Sequence, residues 1–422
     1  MAMGRGDSGG SLRLTNAGGK YRSPNLVPDG GYPPASRGLI VIWGLLASNP
    51  FGGMAWQVLH YLGGFRRLGF DVWYVEDADV LYRPGTLEYA PAVDENVRFL
   101  AAQMSRLGLS DRWLFRTKHL APEWYGNGGA VKVARLQREA DAVINLCGNK
   151  WVSDARPNLL YLETDPGEIQ IHVANGNQDY LRLLERHRWL YTYGVNIGTP
   201  RSPIPVGPLD WHPTRPPVIL DWWRTDSPPA SGRFTTVAQW HRPVKPPLQW
   251  HEHRFEWRKD HLFERVIDLP TRTSMPLELA LRSATDRDRD RLRKQGWIVS
   301  DARRLDPPVE YRGFVQGSAG EFTIAKDQYT RLRTGWFSDR SVCYLAAGRP
   351  VVTQATGFEY HIPTGEGLFA FDDTEAAANA LEAIADHYQR HAQAALELAR
   401  EYFAVDRVLP GLIEDRSTSC PT

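Results

Sequence analysis

Apolar and polar residues change their pattern abruptly near residue 37. Residues 1–36 are rich in Gly, Ser and Pro and lack apolar periodicity, so they predict a flexible N-terminal leader. The run RGLIVIWGLLA (residues 37–47) predicts a buried strand, which a glycine loop and a helical apolar pattern starting at Met54 follow. The next strand is predicted at FDVWYVED, residues 70–77. This strand–loop–helix–strand unit is typical of the start of a doubly wound α/β domain.

Three more predicted strands continue this first domain. They lie at residues 140–148, 158–166 and 186–198, and helical patterns separate them. We therefore predict a parallel α/β domain over residues 37–212. The segment that ends it, GTPRSPIPVGPLDWHPTRPP, is dense in proline and predicts a linker.

A second α/β series occupies residues 213–400. It starts with PVILDWW, strands are predicted at GRFTTVAQW, GWIVSD and RPVVTQ, and a long helical region runs from Thr374 to Phe403. The predicted fold class is therefore α/β, with two doubly wound, Rossmann-like domains. Two such domains joined by a hinge face a central cleft, where ligands commonly bind.

Charge and cysteine content narrow the functional classes. The chain has 422 residues with 50 Lys+Arg against 49 Asp+Glu, so its net charge of +1 gives no general attraction for nucleic acid or anionic membranes. The three cysteines are spaced irregularly, which fits neither a disulfide framework nor a zinc site and favours a cytoplasmic location. No apolar run reaches the ~18 residues of a membrane span. The 15 Trp residues are typical of core packing and, less often, of sugar binding.

Residues 335–371 contain the most informative pattern. Gly335–Ser338 is a loop that enters a helix, and the free N–H groups and dipole of a helix N-terminus suit a diphosphate. Small residues at 346–348 let this helix pack closely and end at glycine. A buried strand follows, and Thr356–Gly357 is a sharp turn after it.

This segment resembles the donor-binding region of GT-B glycosyltransferases, and most closely the retaining group that includes sucrose and glycogen synthases. The likeness covers about residues 38–410. It implies a GT-B fold in which the C-terminal domain binds a nucleotide-diphosphate sugar and residues 401–422 form a crossing helix and tail. The implied reaction moves the sugar to a hydroxyl of a small-molecule or glycan acceptor bound by the N-terminal domain. Neither a cofactor nor a bound metal is expected.

The resemblance also assigns residues to this reaction. The strand-end Arg and the Lys that hold the diphosphate in such enzymes correspond here to Arg242 and Lys259. SNPFGGM resembles the glycine-rich loop that meets the donor phosphate or the acceptor. That loop supplies four site residues: Asn49, Gly52, Gly53 and Met54.

The chain departs from the retaining group at the two glutamates that define it. Alignment on AAG and RPVV places these positions at Gly335 and Cys343, and neither residue carries a carboxylate. Asp339, Arg340 and Ser341 lie between them and are expected to supply replacement contacts. The stereochemistry of the transfer, retaining or inverting, therefore stays open.

An inverting enzyme needs a general base near the acceptor hydroxyl. Glu163 and Asp165 end a predicted strand at the cleft, so they are our catalytic candidates, although carboxylates in this place also cap helices. His60, His119 and His172 are alternatives, although a lone histidine is more often structural.

Arg340 is the favoured cation for the donor diphosphate. It lies in the loop–helix segment, and arginine contacts phosphate through two parallel hydrogen bonds. The predicted donor-binding residues are Lys259, Lys326, Ser338, Asp339, Arg340, Ser341, Thr356 and Gly357.

Two other functional classes stay open. A GT-B nucleotide-sugar epimerase would consume the donor without an acceptor, and a phosphorylase would need inorganic phosphate. A non-catalytic GT-B-shaped binding protein fits the absence of the paired glutamates. The chain lacks the GK[ST] ending of a Walker loop and a GxGxxG before its first helix, which disfavours NTPases and dehydrogenases.

Overall fold

The computed structural model describes residues 25–86, 88–148, 154–241, 246–257 and 259–413. Part of the predicted leader is packed against the first domain. Leu26 is buried, and its backbone N–H donates to the carbonyl oxygen of Arg106 at 2.9 Å. The flexibility predicted for residues 1–24 lies outside the described residues.

The first half of the chain folds into a twisted sheet with helices on its faces. The strands are β1 (Leu39–Trp43), β2 (Asp71–Ala78), β3 (Trp113–Thr117), β4 (Ala121–Gly126), β5 (Ala142–Leu146), β6 (Arg156–Glu163), β7 (His187–Thr192) and β8 (Trp211–Pro213). Their order across the sheet is β4-β3-β2-β1-β5-β6-β7-β8, and neighbouring strands are parallel except β3 and β4. The helices are α1 (Gly52–Arg67), α2 (Asp94–Arg106), α3 (Ala130–Glu139), α4 (Glu168–Ala174) and α5 (Gln178–Glu185).

Strands β1 and β5 form the centre of this sheet. All five residues of β5 and all of β1 except Leu39 are buried, because helices cover both faces of a parallel sheet. The strand order reverses between β1 and β5. The crevice at the carboxyl ends of such a pair is where open α/β sheets bind ligands, and the glycine loop after β1 lies there.

The second half repeats this architecture around a six-stranded sheet. Its strands are β9 (Phe234–Gln239), β12 (Leu277–Arg282), β13 (Ile298–Asp301), β14 (Gly320–Thr323), β15 (Val351–Gln354) and β16 (Leu368–Phe371), and a small hairpin pairs β10 (Leu248–Trp250) with β11 (His253–Phe255). The order is β13-β12-β9-β14-β15-β16, so it reverses between β9 and β14.

The helices of the second half complete the layers. They are α6 (Leu220–Trp223), α7 (Lys259–Phe263), α8 (Asp286–Lys294), α9 (Pro308–Gly317), α10 (Asp327–Arg331), α11 (Asp339–Ala346), α12 (Thr374–Asp386), α13 (Tyr388–Tyr402) and α14 (Val405–Val408). The predicted pair of doubly wound α/β domains is thereby confirmed.

Residues 217–223, where the second series begins, add no strand to either sheet, and α6 forms at their C-terminal end. Trp222 and Trp223 are both buried, and their rings lie 5.9 and 4.9 Å from the ring of Trp56 on α1. Successive residues of a strand point to opposite faces, whereas a helical turn brings both indoles to the same neighbour. Contacts with α1 therefore decide the local structure.

The proline-dense segment is packed rather than free. Residues Trp211–Pro213 add β8 to the edge of the first sheet, and the Ser202 hydroxyl donates to the carbonyl oxygen of Leu332 at 2.7 Å. The sequence pattern also did not predict β3 or β4. Strand β4 is an antiparallel edge strand and contains Pro122, which edge strands tolerate.

The C-terminal segment returns to the first domain. The long predicted helix breaks at His387 into α12 and α13, and α14 then contacts α1. Tyr191 of β7 donates its hydroxyl to the carbonyl oxygen of Gly411 at 3.2 Å. A short helix and the turn that follows it therefore make these contacts, rather than one long helix.

Candidate active site

A cavity of about 320 Å³ lies between the two sheets. Its lining comes from the glycine loop and α1 of the first domain and from the ends of β9, β12 and the start of α11 in the second. The cavity therefore lies at the carboxyl ends of the strands in both sheets, next to the point where the strand order of each sheet reverses. The lining residues discussed below are Phe51, Gly52, Gly53, Met54, Gln57, His60, Arg282, Asp306, Ser338, Asp339 and Arg340.

The first turn of α1 presents unpaired backbone N–H groups to this cavity. No described residue accepts a hydrogen bond from the N–H of Gly52, Gly53 or Met54. Such groups and the helix dipole attract anions. Glycine is needed at position 52, because a Cβ there would lie 2.3 Å from the carbonyl oxygen of Leu305. The two domains approach each other backbone to backbone at this point.

A buried carboxylate holds the glycine loop in place. Glu76 of β2 accepts hydrogen bonds from the backbone N–H groups of Ala47 and Ser48 at 2.8 and 2.7 Å. The Tyr74 hydroxyl accepts from the N–H of Leu46 at 2.7 Å and donates to Glu76. Burial raises the pKa of Glu76. The loop therefore enters α1 with a fixed direction.

Arg340 spans the reversal point of the second sheet. Its guanidinium donates to the carbonyl oxygen of Val237 in β9 at 2.8 Å and to the hydroxyl of Thr323, the last residue of β14, at 2.6 Å. It also forms an ion pair with the fully buried Glu321. Arg340 does line the cavity, but most of its donors are already engaged by the protein. Its charge is therefore held at the cavity within a preformed hydrogen-bond network.

Arg282 is a second cavity arginine, which the sequence analysis missed. It ends β12, pairs with Asp306, and lies 4.9 Å from the ring centroid of Phe51. Its Nη1 and one carboxylate oxygen of Asp306 are buried without a hydrogen-bond partner. The sequence signal is an arginine at the end of an apolar strand, LELALR, and the strand itself was not predicted.

Asp339 joins the two domains at the cavity. The Gln57 amide donates to its carboxylate at 3.0 Å, and the Tyr193 hydroxyl donates to the other oxygen at 3.3 Å. Burial raises the pKa of Asp339 to about 7, although these two hydrogen bonds favour its charged form. The Asp339 carboxyl therefore titrates near neutral pH.

Lys259 and Lys326 do not line the cavity. The Lys259 ammonium is buried and donates to the carbonyl oxygen of Ile324 at 3.1 Å. Burial, together with the charges of Arg340 and Lys326, lowers its pKa to about 7. Lys326 forms an ion pair with Asp165 across the domain interface. The diphosphate roles of both lysines stay predictions.

Glu163 also lies away from the cavity. One of its oxygens accepts hydrogen bonds from the Gln170 amide at 2.7 Å and the Thr192 hydroxyl at 2.6 Å, while the other has no partner. Burial raises the pKa of Glu163 to about 8. These contacts connect β6 to α4 and to β7. The catalytic roles of Glu163 and Asp165 stay predictions.

The remaining residues of the loop–helix segment stabilise local structure. Ser338 caps α11 by accepting from the N–H of Arg340 at 3.2 Å, whereas the Ser341 hydroxyl is buried without a partner. Thr356 donates to the carbonyl oxygen of Trp336 at 2.6 Å. Of these, only Ser338 contributes to the cavity lining in the described residues.

Asn196 connects the Thr356–Gly357 turn to the first domain. Its amide donates to the carbonyl oxygens of Arg333 and Gly357 at 2.9 and 3.2 Å. Gly357 adopts a φ of 97°, and a Cβ there would lie 2.4 Å from the Asn196 amide. The contacts of Asn196 therefore hold the two domains together near the cavity. Asn49 donates to the Ser48 hydroxyl at 3.1 Å, a contact within the first domain.

The histidine alternatives do not gather at the cavity. His60 lines it but accepts a hydrogen bond from the Trp223 indole at 2.9 Å, and burial lowers its pKa to about 3. His119 is exposed, and His172 stacks on Tyr180 at 5.2 Å. Arg242 lies outside the described residues.

Neither a metal site nor a membrane span emerges from the structure. Among the described residues, no group of three or more His, Cys, Asp or Glu side chains could hold a metal ion. Within the same ranges, no helix has the length and apolar character needed to cross a bilayer.

Comparison with known proteins identifies the fold. No protein-family profile matches the sequence, and no curated protein is significantly similar to it. Anabaena HepE in complex with UDP-glucose superposes with a TM-score of 0.50 at 13% identity, over 91% of this chain and 100% of that chain. An alpha-glucosyltransferase in complex with UDP and a 13-mer DNA containing a central A:G mismatch gives 0.52 at 10% identity, over 91% and 100%.

Both solved structures are GT-B glycosyltransferases. The chain therefore has the GT-B fold, and the resemblance seen in residues 335–371 is confirmed as a likeness of fold. At these identities the similarity establishes the architecture, and the chemistry has to be argued from the cavity.

Proposed function

We propose that this protein is a glycosyltransferase that moves a sugar from a nucleoside-diphosphate sugar to an acceptor hydroxyl. One observation carries the proposal. The cavity lies where both sheets reverse their strand order, and cationic side chains and a helix N-terminus face it from opposite domains. This arrangement suits an anionic donor held between the two domains, with the acceptor bound beside it.

The diphosphate would bind between α1 and the two arginines. The unpaired N–H groups of the first turn of α1 offer hydrogen bonds to phosphate oxygens, and Arg282 offers its unpartnered Nη1. Arg340 adds positive charge from the second sheet. These groups neutralise charge that develops on the departing diphosphate, so we propose that transfer needs no bound metal.

Asp339 is the proposed general base. In the transfer, the acceptor oxygen bonds to the anomeric carbon, and the bond from that carbon to the diphosphate oxygen breaks. The acceptor proton passes to the Asp339 carboxylate. A pKa of about 7 suits this task, because a large fraction of the carboxyl is ionised at neutral pH and its carboxylate still accepts a proton readily. Asp339 replaces Glu163 and Asp165 in this role because it lines the cavity.

The donor class is proposed from the structural neighbours. HepE was solved with UDP-glucose, and the alpha-glucosyltransferase was solved with UDP. We therefore propose a UDP-sugar as the first donor to test. A cytoplasmic location, where nucleotide sugars and reduced cysteines coexist, completes the proposal.

The test is donor turnover by the purified protein. UDP release from UDP-glucose is measured with an acceptor mixture, without acceptor, and with inorganic phosphate, and also with EDTA present. We expect release that depends on acceptor and resists EDTA. Release without acceptor would indicate an epimerase or hydrolase, and release that requires phosphate would indicate a phosphorylase. If the protein neither binds UDP nor turns over any nucleoside-diphosphate sugar, we would conclude that it is a non-catalytic binding protein with the GT-B fold.

Two buried carboxyls provide a matched pair of variants. Asp339→Asn should lower turnover by about 10²–10⁴-fold, because a general base contributes that much. Glu163→Gln also removes a buried carboxyl with a raised pKa, but away from the cavity, and should leave turnover within about threefold. The opposite ranking would transfer the catalytic role to Glu163.

A further inference from the structure

Three aromatic rings lead from the cavity to the protein surface. Phe51 lines the cavity, its ring lies 5.8 Å from that of Tyr82, and Tyr82 stacks on Tyr89 at 5.6 Å and 24°. Tyr89 is 67% exposed, which is unusual for so large an aromatic side chain. We name this set, Phe51, Tyr82 and Tyr89, the aromatic ladder.

The aromatic ladder is held by backbone and buried hydrogen bonds. Tyr82 and Tyr89 pair as an antiparallel bridge, and the N–H of Arg83 donates to the carbonyl oxygen of Glu88 at 2.9 Å. The fully buried Asn96 donates to the carbonyl oxygens of Tyr82 at 2.8 Å and Ala47 at 2.7 Å. The same amide thus fixes the tyrosines and the glycine loop. A surface ordered in advance binds at a lower entropic cost.

The arginine beside the aromatic ladder is already paired. Arg83 lies 3.2 Å from Glu95, both side chains are about half exposed, and the exposed Glu88 next to Tyr89 adds negative charge. A phosphate-bearing polymer would need several unopposed lysines or arginines. The surface instead offers apolar ring faces with hydroxyls at their edges, which suits an uncharged ligand with the same mixture.

We propose that the aromatic ladder binds the acceptor and that this acceptor is a neutral carbohydrate chain. A pyranose ring has an apolar C–H face and hydroxyls around its edge, so it complements a tyrosine ring in both respects. A chain resting on Tyr89 and Tyr82 would direct its terminal hydroxyl past Phe51 toward Asp339. This inference rests on the proposed glycosyltransferase function and assigns its acceptor class.

The test measures carbohydrate binding without a donor. The probe is a panel of immobilised neutral oligosaccharides, from two to six units, built from glucose, galactose, mannose or N-acetylglucosamine. We expect the wild-type protein to bind at least one series, with affinity that rises with chain length. Tyr89→Ala should weaken this binding about tenfold, the equivalent of one stacked ring, and Tyr89→Phe should retain it.

Tyr360→Ala is the matched control, because Tyr360 is 51% exposed and lies on the other domain. It should bind carbohydrate as the wild type does, and UDP affinity should be unchanged in every variant. Binding of none of the panel, or equal binding by wild type and Tyr89→Ala, would overturn the assignment. If the wild-type protein does not bind UDP, the result counts against the proposed function and not against the acceptor assignment alone.

Discussion

The approach of the two domains at Gly52 gives a quantitative prediction. A Cβ at position 52 would lie 2.3 Å from the carbonyl oxygen of Leu305 and 2.8 Å from the Cβ of Tyr311. Ordinary contact begins near 3.4 Å, so Gly52→Ala forces the domains about 1 Å apart. Overpacking of this kind costs about 1–3 kcal/mol, which is a factor of about 5–150 in an equilibrium.

Gly53→Ala is the matched control for this change. It lies in the same first turn of α1, and a Cβ there meets Tyr311 no closer than 3.5 Å, which is normal contact. Both variants gain the same helix propensity, so their difference reports the clash alone. Because the diphosphate is proposed to bind between the two domains, the clash should weaken its binding.

The assay is calorimetric titration with UDP together with urea unfolding. Gly52→Ala should bind UDP about 5–150-fold more weakly, or lose about 1–3 kcal/mol of unfolding free energy where the domains stay packed. Gly53→Ala should bind UDP as the wild type does, and its unfolding free energy should be equal to or slightly above that of the wild type. Equal UDP affinities and equal unfolding free energies of the two variants would contradict this prediction, because the domain contact at Gly52 would then place no constraint on the cavity.

Two predictions concern buried titratable groups. The pKa of Lys259 is lowered to about 7, so a bound diphosphate should restore its proton, with about half a proton taken up at pH 7. Calorimetric titration with UDP in two buffers of different ionisation enthalpy measures this proton uptake, and Lys259→Met should reduce it. An unchanged proton uptake in Lys259→Met would show that Lys259 does not interact with the donor. The pKa of Glu163 is raised to about 8, so its contribution to stability is complete below about pH 4.5 and lost as pH rises through 8. Glu163→Gln should therefore be more stable than the wild type by a few kcal/mol at pH 9 and similar at pH 4.5 in urea unfolding, whereas a difference independent of pH would contradict the burial argument.

Local patterns carried the prediction of the fold where they were strong. The apolar run at β1, the glycines at the start of α1 and the small residues at the end of α11 each predict the local structure that forms there. Sequence patterns did not predict the elements whose structure depends on contacts with distant parts of the chain. Trp222 and Trp223 form a helix because α1 packs against both, and β8 exists because a proline-dense segment finds the free edge of β7.

The candidate site was predicted in part for the same reason. Arg340 and the first turn of α1 follow local motifs, and both reach the cavity. Arg282 belongs to a strand that the pattern did not reveal, so its unpartnered Nη1 could not be expected. Glu163 was favoured because it ends a strand, yet Gln170 and Thr192, which occupy its carboxylate, come from two other elements. Such contacts depend on tertiary packing.

A crystal structure of the protein with UDP bound would show directly whether the cavity holds the donor. We expect density for the diphosphate inside the cavity, within hydrogen-bond distance of the first turn of α1 and of Arg282 or Arg340. Phosphate oxygens should replace the missing partners of these N–H groups. UDP bound elsewhere on the molecule, with the cavity unoccupied, would contradict the account.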